Sequence, residues 1–259
     1  MRVLGAGLVC GGVMLGVSCS GIGGKKDGRG PLAAGMTVVE MDVRMGLTAD
    51  DDEGGALVLE GEGFQKATGN SYVSLMADGE GSGTLKSGRD AMASGLALDS
   101  RNLQALVVAR PGLPGTKSSA QAVLLSTTAL RSTERLDKVR VEIETDLEAE
   151  LSGGAVAICE VEGEARLDGH TMATIATKLY LYSENGQVLV FVGPRELGKK
   201  PLGSMANGER FTAKDPSFYF ALGPGAYQIL FTLKVSAICP SELGGGMASL
   251  KASGEVMLR

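Results

Sequence analysis

Hydrophobic and polar residues alternate with a period of two along several stretches of the chain. Between Val39 and Leu47 every second residue is Val, Met or Leu, and charged residues such as Glu40 and Asp42 lie between them. The same alternation returns over residues 139–147. Successive side chains of a strand point to opposite faces of a sheet, so this pattern predicts strands with one buried face. We therefore expect an all-β chain.

The second half of the chain repeats features of the first half in the same order. The clearest matches are GGAL at 54–57 with GGAV at 153–156, and ALDSRNLQALVV at 97–108 with ALGPGAYQILFT at 221–232. The offset between matched segments rises steadily from 99 to 128 residues along the chain. Loop insertions in a second copy would produce such a rise, whereas chance matches would scatter. This order predicts two homologous tandem domains, over residues 36–132 and 136–259.

Each predicted domain contains about seven short strands separated by turn residues, a pattern typical of a β-sandwich. Asn185-Gly186 is the clearest hairpin signal, because a two-residue type I′ turn needs positive φ at both positions. Residues 194–216 form a long polar insertion that the first domain lacks, and residues 116–136 fit either a strand or a short helix. In the second domain the strands are predicted near 138–148, 154–167, 174–183, 187–193, 217–222, 227–238 and 247–258.

The N-terminus differs from the rest of the chain. Arg2 precedes an apolar run over residues 3–17, which is shorter than the ~20 residues of a spanning helix and ends in small residues. These features predict a signal peptide over residues 1–18. Leu15-Gly16-Val17-Ser18-Cys19 resembles the lipobox of bacterial lipoproteins, whose cysteine is acylated and becomes the mature N-terminus. The resemblance implies lipidation at Cys19; ordinary secretion and an uncleaved membrane anchor are the alternatives.

Residues 19–35 are rich in glycine and have no apolar periodicity, which predicts a flexible lipidated tether. A tether of this length has an r.m.s. reach of about 20–24 Å. The folded part is therefore expected to stay close to its own membrane. By the same resemblance, Ser20 after Cys19 favours the outer membrane over the inner membrane.

Two cysteines, Cys159 and Cys239, lie in the second predicted domain. In an exported protein an even pair indicates one disulfide, and two buried thiols are the alternative. Cys159 falls on the second predicted strand and Cys239 follows the sixth, which is similar to the inter-sheet disulfide of immunoglobulin domains. Residues 223–227, GPGAY, resemble the PGxY turn of Ig-like and transthyretin-like sandwiches. That resemblance implies a buried Tyr227 ring whose hydroxyl bonds back to the preceding turn.

No constellation of residues predicts catalysis or a cofactor. His170 is the only histidine, and although Asp168 is nearby the chain has no GxSxG nucleophile motif. One histidine and a cysteine pair cannot form a zinc tetrad. The acidic run at residues 50–53 lacks the spacing of an EF-hand loop. We therefore expect no catalytic, cofactor-binding or metal-binding residues.

Charge and aromatic content narrow the functional classes. A formal net charge of −5 without a basic stripe argues against nucleic acid as a partner. Nine of the eleven aromatic residues lie in the second predicted domain, which predicts a denser core there. Tyr180 and Tyr182 share one strand face, which we expect to belong to the core rather than to a platform for a sugar ring.

The sequence thus predicts a membrane-tethered envelope lipoprotein that acts as a binding module or as a structural or assembly part of the envelope, with another envelope protein as its expected partner. A carbohydrate- or small-ligand-binding lipoprotein is the alternative, and an envelope enzyme is the least favoured.

Overall fold

The computed structural model describes part of the chain. Cys19, the predicted signal peptide and tether, and residues 51–53 of the acidic run lie outside the described residues. The described ranges are 36–50, 56–58, 70–75, 81–87, 91–99, 102–110, 117–133, 135–214, 218–240 and 246–258.

The described residues form sixteen strands and no helix, which confirms the all-β prediction. The first seven strands are β1 (Met36–Asp50), β2 (Ala56–Val58), β3 (Asn70–Leu75), β4 (Gly81–Ser87), β5 (Ala91–Asp99), β6 (Asn102–Ala109) and β7 (Ser118–Ser132). The other nine are β8 (Leu136–Ser152), β9 (Val156–Leu167), β10 (His170–Glu184), β11 (Gln187–Val192), β12 (Gly203–Ala206), β13 (Arg210–Lys214), β14 (Phe218–Leu222), β15 (Gly225–Cys239) and β16 (Met247–Leu258).

The strands form two antiparallel eight-stranded sheets. The first sheet has the order β12-β11-β10-β9-β15-β7-β1-β2. The second has the order β13-β8-β16-β6-β5-β4-β3, and β14 also pairs with β8. In strands such as β6 and β7, buried and less buried residues alternate, so every second side chain faces the space between the sheets, as the period-two pattern predicts.

One hydrophobic core lies between the two sheets and extends through both halves of the chain. Glycines admit large side chains from the opposite sheet. A Cβ atom at Gly254 of β16 would lie 2.6 Å from Cζ of Phe231 on β15. A Cβ atom at Gly95 of β5 would lie 2.9 Å from the Met45 side chain on β1. These close approaches show that the inner faces of the two sheets interdigitate.

Strands from both halves of the chain contribute to both sheets. β7, the last strand of the first half, pairs with β15 along its whole length. β16, the last strand of the second half, pairs with β6. Each final strand therefore joins the other half of the chain, and both sheets continue across the two segments predicted as domains.

The strands predicted in the second half match those observed closely. The Asn185-Gly186 turn joins β10 to β11 with φ values of 52° and 77°, as a type I′ hairpin requires. Residues 118–132, which sequence periodicity left open, form a strand. The insertion over 194–216 contains the short strands β12 and β13, which its polar composition does not reveal.

β1 departs from its predicted alternation near its start. The pairing with β7 shifts between Val38 and Glu40, which is the signature of a β-bulge. Val43, Met45 and Leu47 are buried as predicted, but Val39 is 61% exposed. An extra residue in one strand reverses the inward and outward faces on either side of it, so a pattern read across the bulge fails.

Cys159 and Cys239 are thiols in this structure, which corrects the predicted disulfide. They lie on β9 and β15, neighbouring strands of the first sheet, so they cannot bridge the two sheets. Cys159 pairs with Val235, four residues before Cys239 on β15. At ~3.3 Å per residue this offset is about 13 Å, beyond the Cα separation that a disulfide tolerates.

The predicted role of Tyr227 agrees with its contacts. Tyr227 is buried near the start of β15, and its hydroxyl donates a hydrogen bond of 2.8 Å to the carbonyl oxygen of Gly223. This is the arrangement that the GPGAY resemblance implies.

Candidate binding surface

An aromatic group lies on the outer face of the first sheet, away from the core. On β10, Leu179 and Leu181 are buried in the core, so Tyr180 and Tyr182 between them point outward. The expectation that these tyrosines belong to the core was wrong, because the leucines occupy the inward positions. Phe191 of β11, which pairs with Tyr180, shares this outer face.

The aromatic side chains contact one another in defined geometries. The Tyr180 and Tyr182 rings are nearly parallel, with centroids 6.4 Å apart and an interplanar angle of 10°. The Tyr182 and Phe191 rings meet edge to face at 5.9 Å. The Lys178 ammonium lies over the Tyr180 ring, 5.4 Å from its centroid. We call this group, together with Leu189, the aromatic surface.

Residues 193–202 cover one side of the aromatic surface, and we call this segment the capping loop. Its ends are held by backbone hydrogen bonds: Gly193 N donates to Lys178 O at 2.9 Å, and Leu202 N donates to Val190 O at 2.7 Å. Gly193 and Gly198 have φ values of 78° and 82°, which favour glycine. The loop therefore starts and ends in fixed positions beside β10 and β11.

Arg195 attaches the capping loop to the aromatic surface. Its guanidinium is 2.9 Å from a carboxylate oxygen of Glu184 and lies over the Phe191 ring, 5.9 Å from the centroid. Its backbone amide donates to the Tyr182 hydroxyl at 3.4 Å. An exposed ion pair alone stabilises little, but these three contacts converge on one residue.

A shallow open depression of about 410 Å³ lies between the capping loop and the aromatic surface. Leu189, Phe191 and Pro201 are its apolar lining residues, and its charged ones are Glu184, Arg195, Glu196 and Lys199. Its volume lies in the range of small-ligand sites, although its open form suits a side chain of a larger partner.

Exposed apolar side chains occur in the capping loop. Leu197, which lines the depression, is 108% exposed, and Leu202 at the end of the loop is 54% exposed. Val192 is also half exposed, but it pairs with the core residue Leu179 and therefore lies on the other face of β11. Single exposed apolar residues are common on protein surfaces, but two within one ordered loop form a local group. Such a group is typical of an interaction site.

Ion pairs border the aromatic surface on the neighbouring strands. A Glu160 carboxylate oxygen lies 2.5 Å from Lys178 Nζ and 3.4 Å from Lys234 Nζ. Partial burial acts to raise the pKa of Glu160, but the hydrogen bond from Lys178 and the charge of Lys234 together lower the pKa below its usual value. Lys199 and Lys200 of the capping loop, by contrast, join none of the ion pairs among the described residues.

The other candidate residues do not converge on this surface. His170 is exposed and begins β10, whereas Tyr182 lies near the opposite end of that strand. Within the described ranges, no group of three or more His, Cys, Asp or Glu residues is placed to hold a metal ion. Cys19 lies outside those ranges. The aromatic surface and the capping loop are thus the strongest candidate site among the described residues.

The sequence contains a pattern that corresponds to this surface, but its aromatic residues favoured a core interpretation. The segment KLYLY places two leucines on one face of β10 and two tyrosines on the other. Since both faces are apolar, periodicity alone does not decide which one is inside. The polar insertion that follows β11 was the remaining clue, because a segment that covers an outer face needs extra chain.

No protein-family model, characterised protein or solved structure matches the chain. The described residues include no helix long and apolar enough to cross a membrane.

Proposed function

We propose that this protein is a lipid-anchored lipoprotein of the bacterial cell envelope, outer membrane rather than inner, that binds a protein partner. The observation that carries the binding role is the ordered capping loop with Leu197 fully exposed. Loops on a rigid β scaffold are common binding sites, and a loop fixed before binding loses little entropy on association.

The position of the capping loop supports binding away from the anchored end. The tether joins the fold at Met36, at one end of the first sheet. Val192, the residue before the loop, lies level with Leu47 of β1 across the first sheet. The pairs that connect them are Val192–Leu179, Leu179–Cys159, Cys159–Val235, Val235–Ala122 and Ala122–Leu47. Eleven residues of strand correspond to about 36 Å. The capping loop is therefore far from Met36, where the tether joins the fold.

We also propose that the fold is a duplicated pair of Ig-like units that share their two sheets. In each half the first and last strands pair, β1 with β7 and β8 with β16. In each half the penultimate strand, β6 or β15, lies in the other sheet and pairs with the last strand of the other half. This reciprocal arrangement supports the duplication, and the buried Tyr227 supports the Ig-like character.

A carbohydrate- or small-ligand-binding role is the second candidate, because two tyrosines and a depression share one outer face. A sugar ring stacks on an uncovered aromatic face. Lys178 lies over Tyr180, Tyr182 stacks beside it, and Phe191 is buried. These contacts favour a protein partner. We propose no catalytic activity, because the sequence offers neither a nucleophile–base pair nor a metal-ligand set.

In vivo photo-crosslinking tests the proposed binding role. A photoreactive phenylalanine analogue replaces Leu197 in the full-length chain, and intact cells are irradiated. The matched control carries the analogue at Thr212, an exposed residue of β13 on the second sheet. We expect a discrete adduct from position 197 and none from 212. Equal patterns from both positions, or no adduct at 197, would refute the binding role of the loop.

Lipid anchoring is tested separately. The wild type should label with palmitate and partition into detergent, because several acyl chains hold a protein more firmly than one. Cys19→Ala should lose both properties. A Cys19→Ala variant that still labels would contradict the lipoprotein assignment.

A further inference from the structure

We infer that the capping loop and the adjoining depression bind an acidic peptide segment of the partner protein, with an apolar side chain of that segment in the depression. This inference rests on the proposed binding function and specifies the chemistry of the partner.

The apolar part of the inference follows from exposed side chains on an ordered loop. Two of the five large hydrophobic residues that are exposed in the described structure, Leu197 and Leu202, lie in the capping loop. The loop is anchored by Gly193 and Leu202 at its ends and by Arg195 between them. Leu197 is thus held in solvent by an ordered segment. The capping loop therefore loses little conformational entropy when a partner buries Leu197.

The depression supplies the complementary feature. Leu189 and Pro201 give it apolar walls, and Leu197 also lines it. Phe191 lies at the depression as well, but its ring is only 2% exposed. A side chain of Leu, Ile or Phe on the partner would contact these walls, while Leu197 would contact the partner. Anchor residues in small apolar pockets contribute a large share of the affinity of many protein interfaces.

The acidic part of the inference follows from the charges of the capping loop rather than from the lining of the depression, where two acidic and two basic residues balance. Glu184 neutralises Arg195, whereas Lys199 and Lys200 take part in no ion pair among the described residues. Glu196 is the only acidic residue in the capping loop. The loop is therefore locally positive in a chain of net charge −5. Carboxylates of a partner would complement the two lysines and steer the encounter.

Two other occupants fit less well. An anionic membrane would also attract the lysines, but it offers no single apolar side chain to the depression. The loop lies about 36 Å along the sheet from Met36, so it reaches the anchoring membrane only when the fold lies on its side. A second copy could offer the acidic outer face of β8, with Glu144, Asp146 and Glu148. There, however, Arg210 pairs with Asp146 and Lys251 with Glu148, so part of this charge is already neutralised.

Selection from a random peptide library tests the inference. The full-length lipoprotein, purified in detergent micelles, is the bait, and selected 12-residue peptides are synthesised for fluorescence anisotropy. We expect Asp and Glu to flank a Leu, Ile or Phe in the selected sequences. Leu197→Ser and the double variant Lys199→Glu/Lys200→Glu should each weaken peptide binding about tenfold or more.

A charge exchange makes the test specific. Peptides in which Lys replaces Asp and Glu should bind the Lys199→Glu/Lys200→Glu variant better than they bind the wild type. Lys117→Glu, at an exposed lysine before β7, is the matched charge control and should leave the affinity unchanged. Selected peptides without acidic enrichment would overturn the inference. Equal binding of the Lys-substituted peptides to the wild type and to the Lys199→Glu/Lys200→Glu variant would overturn it as well.

Further measurements distinguish an acidic peptide from a membrane or a second copy, and distinguish failure of this inference from failure of the proposed function. Loop-dependent binding to phosphatidylglycerol vesicles in place of peptides, or a dimer in sedimentation that Lys199→Glu/Lys200→Glu dissociates, would overturn the peptide assignment. An adduct at Leu197 in cells combined with no acidic preference refutes this inference alone. Absence of both the adduct and peptide binding refutes the proposed function as well.

Discussion

The first strands of the two halves, β1 and β8, differ in how much of their outer edge is paired with another strand. In the second half, β13 and β14 pair with β8 over Glu144–Glu148 and over residues 136–141. In the first half, among the described residues, only β2 pairs with the corresponding edge of β1, over Gly46–Thr48. Unpaired strand edges promote association between chains, so among the described residues the second half is the better protected on this side.

The insertion over residues 194–216 accounts for much of this difference. It contributes β12 to the edge of the first sheet and β13 to the edge of the second, and its first part is the capping loop. The same extra chain thus covers a sheet edge and builds the candidate binding surface. Among the described residues, the larger half therefore has both the greater edge pairing and the candidate binding surface.

The largest expected effect concerns the aromatic core of the second half. Phe231 is fully buried on β15, and Phe231→Ala should lower the free energy of unfolding by about 3–5 kcal/mol. Phe231→Leu, which keeps most of the volume, should cost less. The measurement is denaturant unfolding followed by circular dichroism. Equal losses for both variants would show that side-chain volume at this position is not what stabilises the core.

The next prediction tests edge protection directly. Phe211 attaches β13 to the sandwich by packing against Gly203, where a Cβ atom would lie 2.5 Å from the ring. Phe211→Ala should loosen β13 and speed amide hydrogen exchange in β13 and in β8 over Glu144–Glu148. Exchange in β7 and β15 serves as the internal control. Uniform acceleration in all four strands would indicate global destabilisation rather than loss of the edge.

Two glycines permit a matched comparison of the halves. Gly254→Ala meets the rigid ring of Phe231, and Gly95→Ala meets the flexible thioether end of Met45. Because methionine adapts its shape more easily, Gly254→Ala should cost about 1–3 kcal/mol and Gly95→Ala less. Thermal unfolding of both variants measures the difference. The reverse order would show that the first half is the more tightly packed.

A smaller effect is expected from the ion pairs of Glu160. The pKa of Glu160 is lowered in the folded state by Lys178 and Lys234, so its ionised form stabilises the fold at pH values above the pKa of the unfolded chain. That contribution should disappear as pH falls through the lower folded-state pKa. The difference in unfolding free energy between the wild type and Glu160→Gln should therefore be largest near neutral pH. A difference that grows towards acid would contradict this sign.

The smallest expected effect is that of a reducing agent. Since Cys159 and Cys239 are thiols on one sheet, dithiothreitol should leave the melting temperature unchanged. Cys239 is buried, which raises the pKa of its thiol, and it donates a hydrogen bond of 3.0 Å to Ala109 O. It should react with Ellman's reagent only after unfolding. A lower melting temperature under reducing conditions would instead support the predicted disulfide between Cys159 and Cys239.

Local features of the fold could be predicted from the sequence because they depend on neighbouring residues. The period-two pattern placed the strands of the second half, and Asn185-Gly186 placed the hairpin between β10 and β11. The GPGAY segment anticipated the hydrogen bond from Tyr227 to Gly223. The Val39 bulge was missed, because a one-residue irregularity leaves the alternation of β1 visibly intact.

The candidate surface was only partly predictable. The insertion was recognised as extra chain, and Arg195, Lys199 and Lys200 fall within it. The contacts of Arg195 with Glu184 and Phe191 were not foreseen, because they join residues from three separate segments. Which face of the KLYLY strand is buried depends on what packs against it, and sequence periodicity carries no such information.

The sequence by itself therefore determined an all-β chain, the position of most strands in its second half and the turns that join them, since alternation and turn chemistry act over a few residues. The tertiary structure alone decided that β7 joins β15 and β16 joins β6 across the two halves. It also decided that Cys159 and Cys239 share a sheet and that Tyr180 and Tyr182 face outward. These outcomes depend on pairing between strands far apart in the chain, where register and packing select among faces that are equally apolar in sequence.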